Sequence, residues 1–153
     1  MDIYYKSISE SGKQMINYVC KYAPVELFKG FGQECAVLEE MPENFDKSDK
    51  IAHANLCGFG KSVIQAVLEG KVEELVLVNC CDSMRRVYDI IENTKKCKFL
   101  YMLDLPHEDN ECENIKFAQS ILRLKKAYER YSHRTFDREL FIKSFAKPES
   151  EIG

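Results

Sequence analysis

Short apolar runs and amphipathic helical stretches alternate along this chain, and that alternation leaves few architectures open. The strongest run, "EELVLVNC" at 73–80, has the length and apolar content of a strand buried on both faces. It is followed by an amphipathic period from Asp82 to about Asn93, then by "KCKFLYMLDLP", a strand ended by Pro106. "QECAVLEE" reads as a further short strand, so strands are expected at about 34–38, 74–79 and 98–103.

The intervening segments read as helices. "SISESGKQMINYVCKY" has Ser9 as an N-cap, with Met15, Ile16, Val19 and Tyr22 at helical spacing, which predicts a first helix carrying Cys20 on its core face. "PVELFKGF" is a short second helix closed by Gly30 and Gly32, and "MPENFDKSD" is loop. "GFGKSVIQAVLEG" places Val63, Ile64, Val67 and Leu68 on one face, with Gly70 at its C-terminal end. A long helix from Asn114 to Tyr131 and a last one near "FDRELFIKSF", capped by Thr135, complete the series. Helices between strands in this order specify a single three-layer α/β domain over residues 1–153: a small parallel sheet of Rossmann or flavodoxin-like type with helices on both faces.

In such folds ligands bind beyond the carboxyl ends of the strands, where loops lead into helix N-termini. Cys80, Cys81 and Asp82 stand there, and Cys57 stands just ahead of the "GFGKS" helix. A thiol at a helix N-terminus meets unpaired backbone N–H groups and the positive end of the helix dipole, which favour the thiolate, the form that binds metal. Cys57 and one of the 80/81 pair come from neighbouring loops on one edge and can converge on a metal; the spacing lacks the paired Cys-x-x-Cys knuckles of a zinc ribbon. The segment around "GFGKS" is not a phosphate-binding loop, because Asn55 stands where that loop needs glycine, and the glycine that would complete a dinucleotide fingerprint is Val63.

Composition narrows the partners. With 22 basic against 25 acidic residues the net charge is −3, which gives no general attraction for nucleic acid or anionic lipid, and "RLKKAYERYSHR" reads as a solvated helix face. No apolar run approaches the ~20 residues of a membrane span, and the first residues lack the order of a secretion signal, so a cytoplasmic location is expected. Seven cysteines, an odd number, suit a reducing compartment. His107 and His133 read as loop and surface residues, whereas His53, four residues before Cys57, is close enough in sequence to approach a metal there.

Four stretches carry a family resemblance: "VCKYAPVELFKGFG", "HANLCGFGKSVIQAVLEG", "ELVLVNCCDSMRRVYDI" and "FLYMLDLPHE". In this order they resemble the N-terminal part of the D-component family of 2-hydroxyacyl-CoA dehydratases, which includes subunits of 2-hydroxyglutaryl-CoA dehydratase and of benzoyl-CoA reductase. The resemblance implies that Cys57 and Cys81 are ligands of a [4Fe-4S] cluster, with Cys80 a buried neighbour and Asp82, Arg85 and His53 candidates for its surroundings. It further implies low-potential electron transfer to an acyl-CoA thioester, a second dehydratase or reductase subunit, and an ATP-dependent activator as electron donor. Members of the family are normally more than twice this length, and a second α/β domain supplies the third cluster cysteine. The expectation is therefore an N-terminal domain, inactive and without cluster when isolated, belonging to a lyase or acyl-CoA reductase complex of anaerobic metabolism. Two alternatives stand beside it: a stand-alone accessory domain binding a cluster or metal, and a metal-free α/β interaction domain whose thiols are structural.

Overall fold

A computed structural model describes residues 15–20, 22–38 and 42–145. In chain order the elements are β1 (Ile16–Tyr18), α1 (Val25–Lys29), β2 (Cys35–Val37), α2 (Ser48–Ile51), α3 (Gly58–Leu68), β3 (Glu74–Val78), α4 (Asp82–Thr94), β4 (Phe99–Leu103), α5 (Glu111–Ser132) and α6 (Arg138–Lys143). The strands form one sheet in the order β2-β1-β3-β4, and every pairing is parallel.

The side-chain alternation of β3 explains the three layers. Leu75 and Leu77 point to one face, where Val63, Ile64 and Val67 of α3 and Met84, Val87 and Ile91 of α4 close over them. Val76 points to the other face and packs with Leu27 and Phe28 of α1 and with Leu124 and Tyr128 of α5. All five β3 residues are buried, as a central parallel strand requires. Each fully buried side chain of this size contributes about 1.5–3 kcal/mol. Tyr128 anchors the second layer, its ring standing edge-on to Phe28, Phe31 and Phe99 with centroids 5.1–5.2 Å away.

The sheet differs from the sequence expectation in one strand. Residues 16–18, expected inside a helix, form β1 at the middle of the sheet, paired with β2 on one side and β3 on the other. Ile16 and Val19 satisfy the helical spacing, yet they lie on opposite sides of the sheet, Ile16 against α1 and α5 and Val19 against α3. Cys20, with φ of 84°, lies in the left-handed region that no helix interior tolerates and breaks the chain away from the strand. Ser9, the expected cap, lies outside the described residues. Two smaller corrections concern residues 48–51, a short helix where loop is expected, and the cap of α6, which is Asp137 and not Thr135: Asp137 Oδ1 accepts from the Glu139 and Leu140 N–H groups at 2.9 and 3.3 Å.

The order 2-1-3-4 is that of a flavodoxin-like sheet, with the connection direction reversing between β1 and β3. Reversal sends α1 to one face and α3 and α4 to the other, so the loops after β1 and β3 diverge and leave a crevice at their carboxyl ends. Among the described residues no helix is long and apolar enough to cross a membrane.

Candidate functional site

Two cysteines cap the helices that leave this edge. Cys57 is the N-cap of α3, in extended conformation, and its Sγ accepts the Gly60 N–H at 3.3 Å. Cys81 is the N-cap of α4, also extended, with no hydrogen bond from its side chain to the helix, so its sulfur remains available. The chain turns tightly after β3, the Cys80 N–H bonding to the Val78 carbonyl at 2.8 Å, before Cys81 caps α4.

The packing of α3 on α4 joins the two caps. A side chain at Gly60 would meet Val87 Cγ2 at 3.1 Å and Leu56 Cγ at 3.2 Å, so glycine permits the first turn of α3 to lie close on α4. As a result the Cys57 thiol reaches the Ser83 hydroxyl in the first turn of the helix that Cys81 caps. The Gly60 N–H, and after it Ser83, hold the Cys57 thiol below its ordinary pKa, which favours the thiolate on an exposed side chain.

Cys20 joins the same edge. It follows β1 as Asn79 and Cys80 follow the adjacent β3, and its side chain meets Cys80 across a cavity of about 420 Å³ lined also by Val37, Leu38 and Phe59. Cys80 is exposed and not the buried neighbour expected. Its thiol is nevertheless pushed up to about 11, first by desolvation and next by the facing Cys20. The position of Cys20 escaped the sequence reading because it depends on β1 being a strand beside β3, which no local periodicity declares.

The remaining sequence candidates take separate places. Asp82 opens α4 and complements its positive end. Arg85 lies one turn further on and approaches Asp104 at 3.9 Å, beyond the end of β4. His53 is exposed, and its Nδ1 accepts the Asn55 N–H at 3.1 Å, a contact that shapes the loop before Cys57. Cys35 and Cys97 are half-buried, and burial pushes both thiols up to about 12. Cys112 is exposed in the first turn of α5. Among the described residues, no three His, Cys, Asp or Glu side chains converge to hold a metal ion.

The donor chemistry at this edge fits an iron–sulfur group in kind. Soft, exposed thiols at two adjoining helix N-termini are what such a group takes as ligands, and the backbone dipoles there offset the negative charge of bound sulfur. The described thiols do not converge into a closed ligand set, so these residues would form one side of the site. The family model described as 2-hydroxyglutaryl-CoA dehydratase, D-component, matches residues 20–149, a span that contains both caps, the Cys80 turn and every helix of the structure. No curated protein matches the chain.

Proposed function

The chain belongs to the 2-hydroxyglutaryl-CoA dehydratase D-component family, and from that premise we propose that it forms the N-terminal domain of an iron–sulfur dehydratase, or related acyl-CoA reductase, subunit. Cys57 and Cys81 are the residues that would hold the cluster, and a second domain or subunit supplies the ligand these two leave open. When bound, the cluster supplies a low-potential electron for an acyl-CoA thioester, received from an ATP-dependent activator.

The chain's own residues supply position and shielding. Gly60 N–H, and after it Ser83, lower the pKa of the Cys57 thiol, which favours the thiolate, the form that binds metal. Cys81, free of any capping bond, can turn its sulfur outward from α4 without breaking the helix end. Val37, Leu38 and Phe59 give the adjacent cavity an apolar wall. The observation that carries the reading is the seating of the Cys57 cap against the first turn of the Cys81-capped helix, inside the span matched to the family.

The test is turnover by the complete complex, with partner subunit and activator, for Cys57→Ser and for Cys112→Ser as control. Loss of activity in the first with retention in the second is expected. Full activity of Cys57→Ser refutes the reading.

A further inference from the structure

We propose that a cavity at the amino-terminal edge of the sheet is a binding site for a small primary organic amine in its ammonium form, held by the free oxygen of the Glu74 carboxylate. The cavity has a volume of about 390 Å³ and lies between the start of β3, the turn after α1 and the last turn of α5. Buried Glu74 and Tyr128 and half-buried Tyr131 form its inner wall, and exposed Gly32, Glu34 and Arg134 its rim. It sits at the opposite end of β3 from the turn that leads to Cys81, the length of the strand, about 13 Å, lying between them. The site is therefore separate from the cysteine edge and does not rest on the dehydratase reading.

Glu74 is the group that the fold leaves unfinished. It leaves β3 on the same face as Val76, toward α1 and α5, and is only 6% exposed. Oε2 accepts from Tyr131 Oη at 2.8 Å, whereas Oε1, shielded from bulk water, has no partner among the described residues. A buried acceptor left empty bears the full cost of its desolvation. Burial accordingly outweighs the Tyr131 hydrogen bond and the Arg134 charge, and holds this carboxyl above its ordinary pKa. A positively charged N–H donor meets both needs at once, filling the acceptor and neutralising the buried charge. It reaches Oε1 by a shift of the side chains over it, of which Tyr131 is only half-buried.

The surroundings select a cation. Two carboxylates, Glu74 and Glu34, stand against one guanidinium, and Arg134 Nη1 is engaged by the Phe31 and Gly32 carbonyls at 3.4 Å each. α5 ends here at Ser132, so its last carbonyls and the negative end of its dipole border the cavity. Tyr128 and Tyr131 supply aromatic surface for an ammonium and its first methylene groups. A divalent metal ion is not matched, since among the described residues no three carboxylate, His or Cys side chains converge. A quaternary ammonium has no N–H to give to Oε1. The volume stands near the small end of ligand cavities, which suits a chain of a few carbons.

The experiment is NMR titration of the isotope-labelled full chain with n-butylammonium, with n-butanol, tetramethylammonium and potassium as comparison probes. Saturable shifts of the amides of residues 32–34, 74 and 131–134, absent with n-butanol, are expected. Affinity should fall by roughly tenfold or more in Glu74→Gln, an isosteric change, and stay unchanged in Glu108→Gln, which alters an exposed carboxylate near the other end of α5. In Arg134→Gln, which removes the facing cation, affinity should rise by roughly two- to threefold. A damaged fold would not produce that rise, so the pair of variants separates charge from structure. No saturable shift at these amides, equal binding of n-butanol, Glu74→Gln binding as tightly as the parent, or weaker binding in Arg134→Gln overturns the site. Tetramethylammonium or potassium binding there as tightly as n-butylammonium overturns the N–H contact to Oε1 and with it the primary amine.

Discussion

Cys57 should react with iodoacetamide at neutral pH far faster than Cys97, and the structure sets the ratio. Burial pushes Cys97 up to about 12, whereas Gly60 N–H and Ser83 keep Cys57 below the ordinary 9.0. A gap of at least three units makes the thiolate population of Cys57 larger by about 10³ or more at pH 7. A thiolate of lower pKa is also the weaker nucleophile, with a Brønsted slope of about 0.45, which takes back a factor of about 20. The net advantage is about 50-fold before the poorer access to the half-buried Cys97 is counted, and Cys35, also at about 12, should lag equally. Cys80, pushed up to about 11, should trail Cys57 by about tenfold on the same arithmetic although both are exposed. The assay is timed alkylation of the native chain, quenched and read by peptide mass spectrometry. Equal labelling rates for Cys57 and Cys97 in the folded protein refute the claim that the α3 cap selects a thiolate.

Two further outcomes concern stability. Gly60→Ala gains up to ~1 kcal/mol of helix propensity but forces a methyl against Val87 and Leu56, and since Val87 is fully buried and stiff, overpacking of about 1–3 kcal/mol prevails; a rise in the urea midpoint would contradict the close approach of α3 to α4. Glu74, 6% exposed, accepts from Tyr131 Oη on Oε2 at 2.8 Å while its Oε1 has no partner among the described residues, and desolvation raises its pKa. Because the folded value is the higher one, its contribution is fully present below the ordinary carboxylate pKa of about 4.3 and is lost as pH rises through the raised value. Glu74→Gln should therefore be more stable than the parent at pH 7, with an advantage that shrinks as pH falls toward 4, measured by thermal unfolding across that range; an advantage that grows on acidification would reverse the assigned sign.

The elements read correctly from sequence are those whose local pattern and tertiary environment agree. α3, α4 and α5 each carry an apolar stripe long enough to repeat, and β3 has five consecutive residues buried on both faces. β1 is three residues long, too short for a period of two to show, and it is a strand because β2 and β3 pair with it from either side. The places of Cys57 and Cys81 in the candidate site were legible for a local reason: each directly precedes an amphipathic period, and the structure makes each the N-cap. The approach of Cys20 to Cys80 and the Ser83 contact with Cys57 arise from strand order and helix packing, between residues 60 and 26 positions apart that no single window contains. Cys80 shows the same limit in reverse, since an apolar run leads into it while the tight turn after Val78 exposes it.

The most direct test of the central claim is iron and acid-labile sulfide per chain in the anaerobically assembled complex, for the parent and for Cys57→Ser and Cys81→Ser. Stoichiometric cluster in the parent with loss in each serine variant is the predicted result, since a hydroxyl in place of a thiolate removes a cluster ligand. Full cluster occupancy retained without either cysteine would contradict the assignment of that residue and, if both are dispensable, the account of this edge as a cluster site.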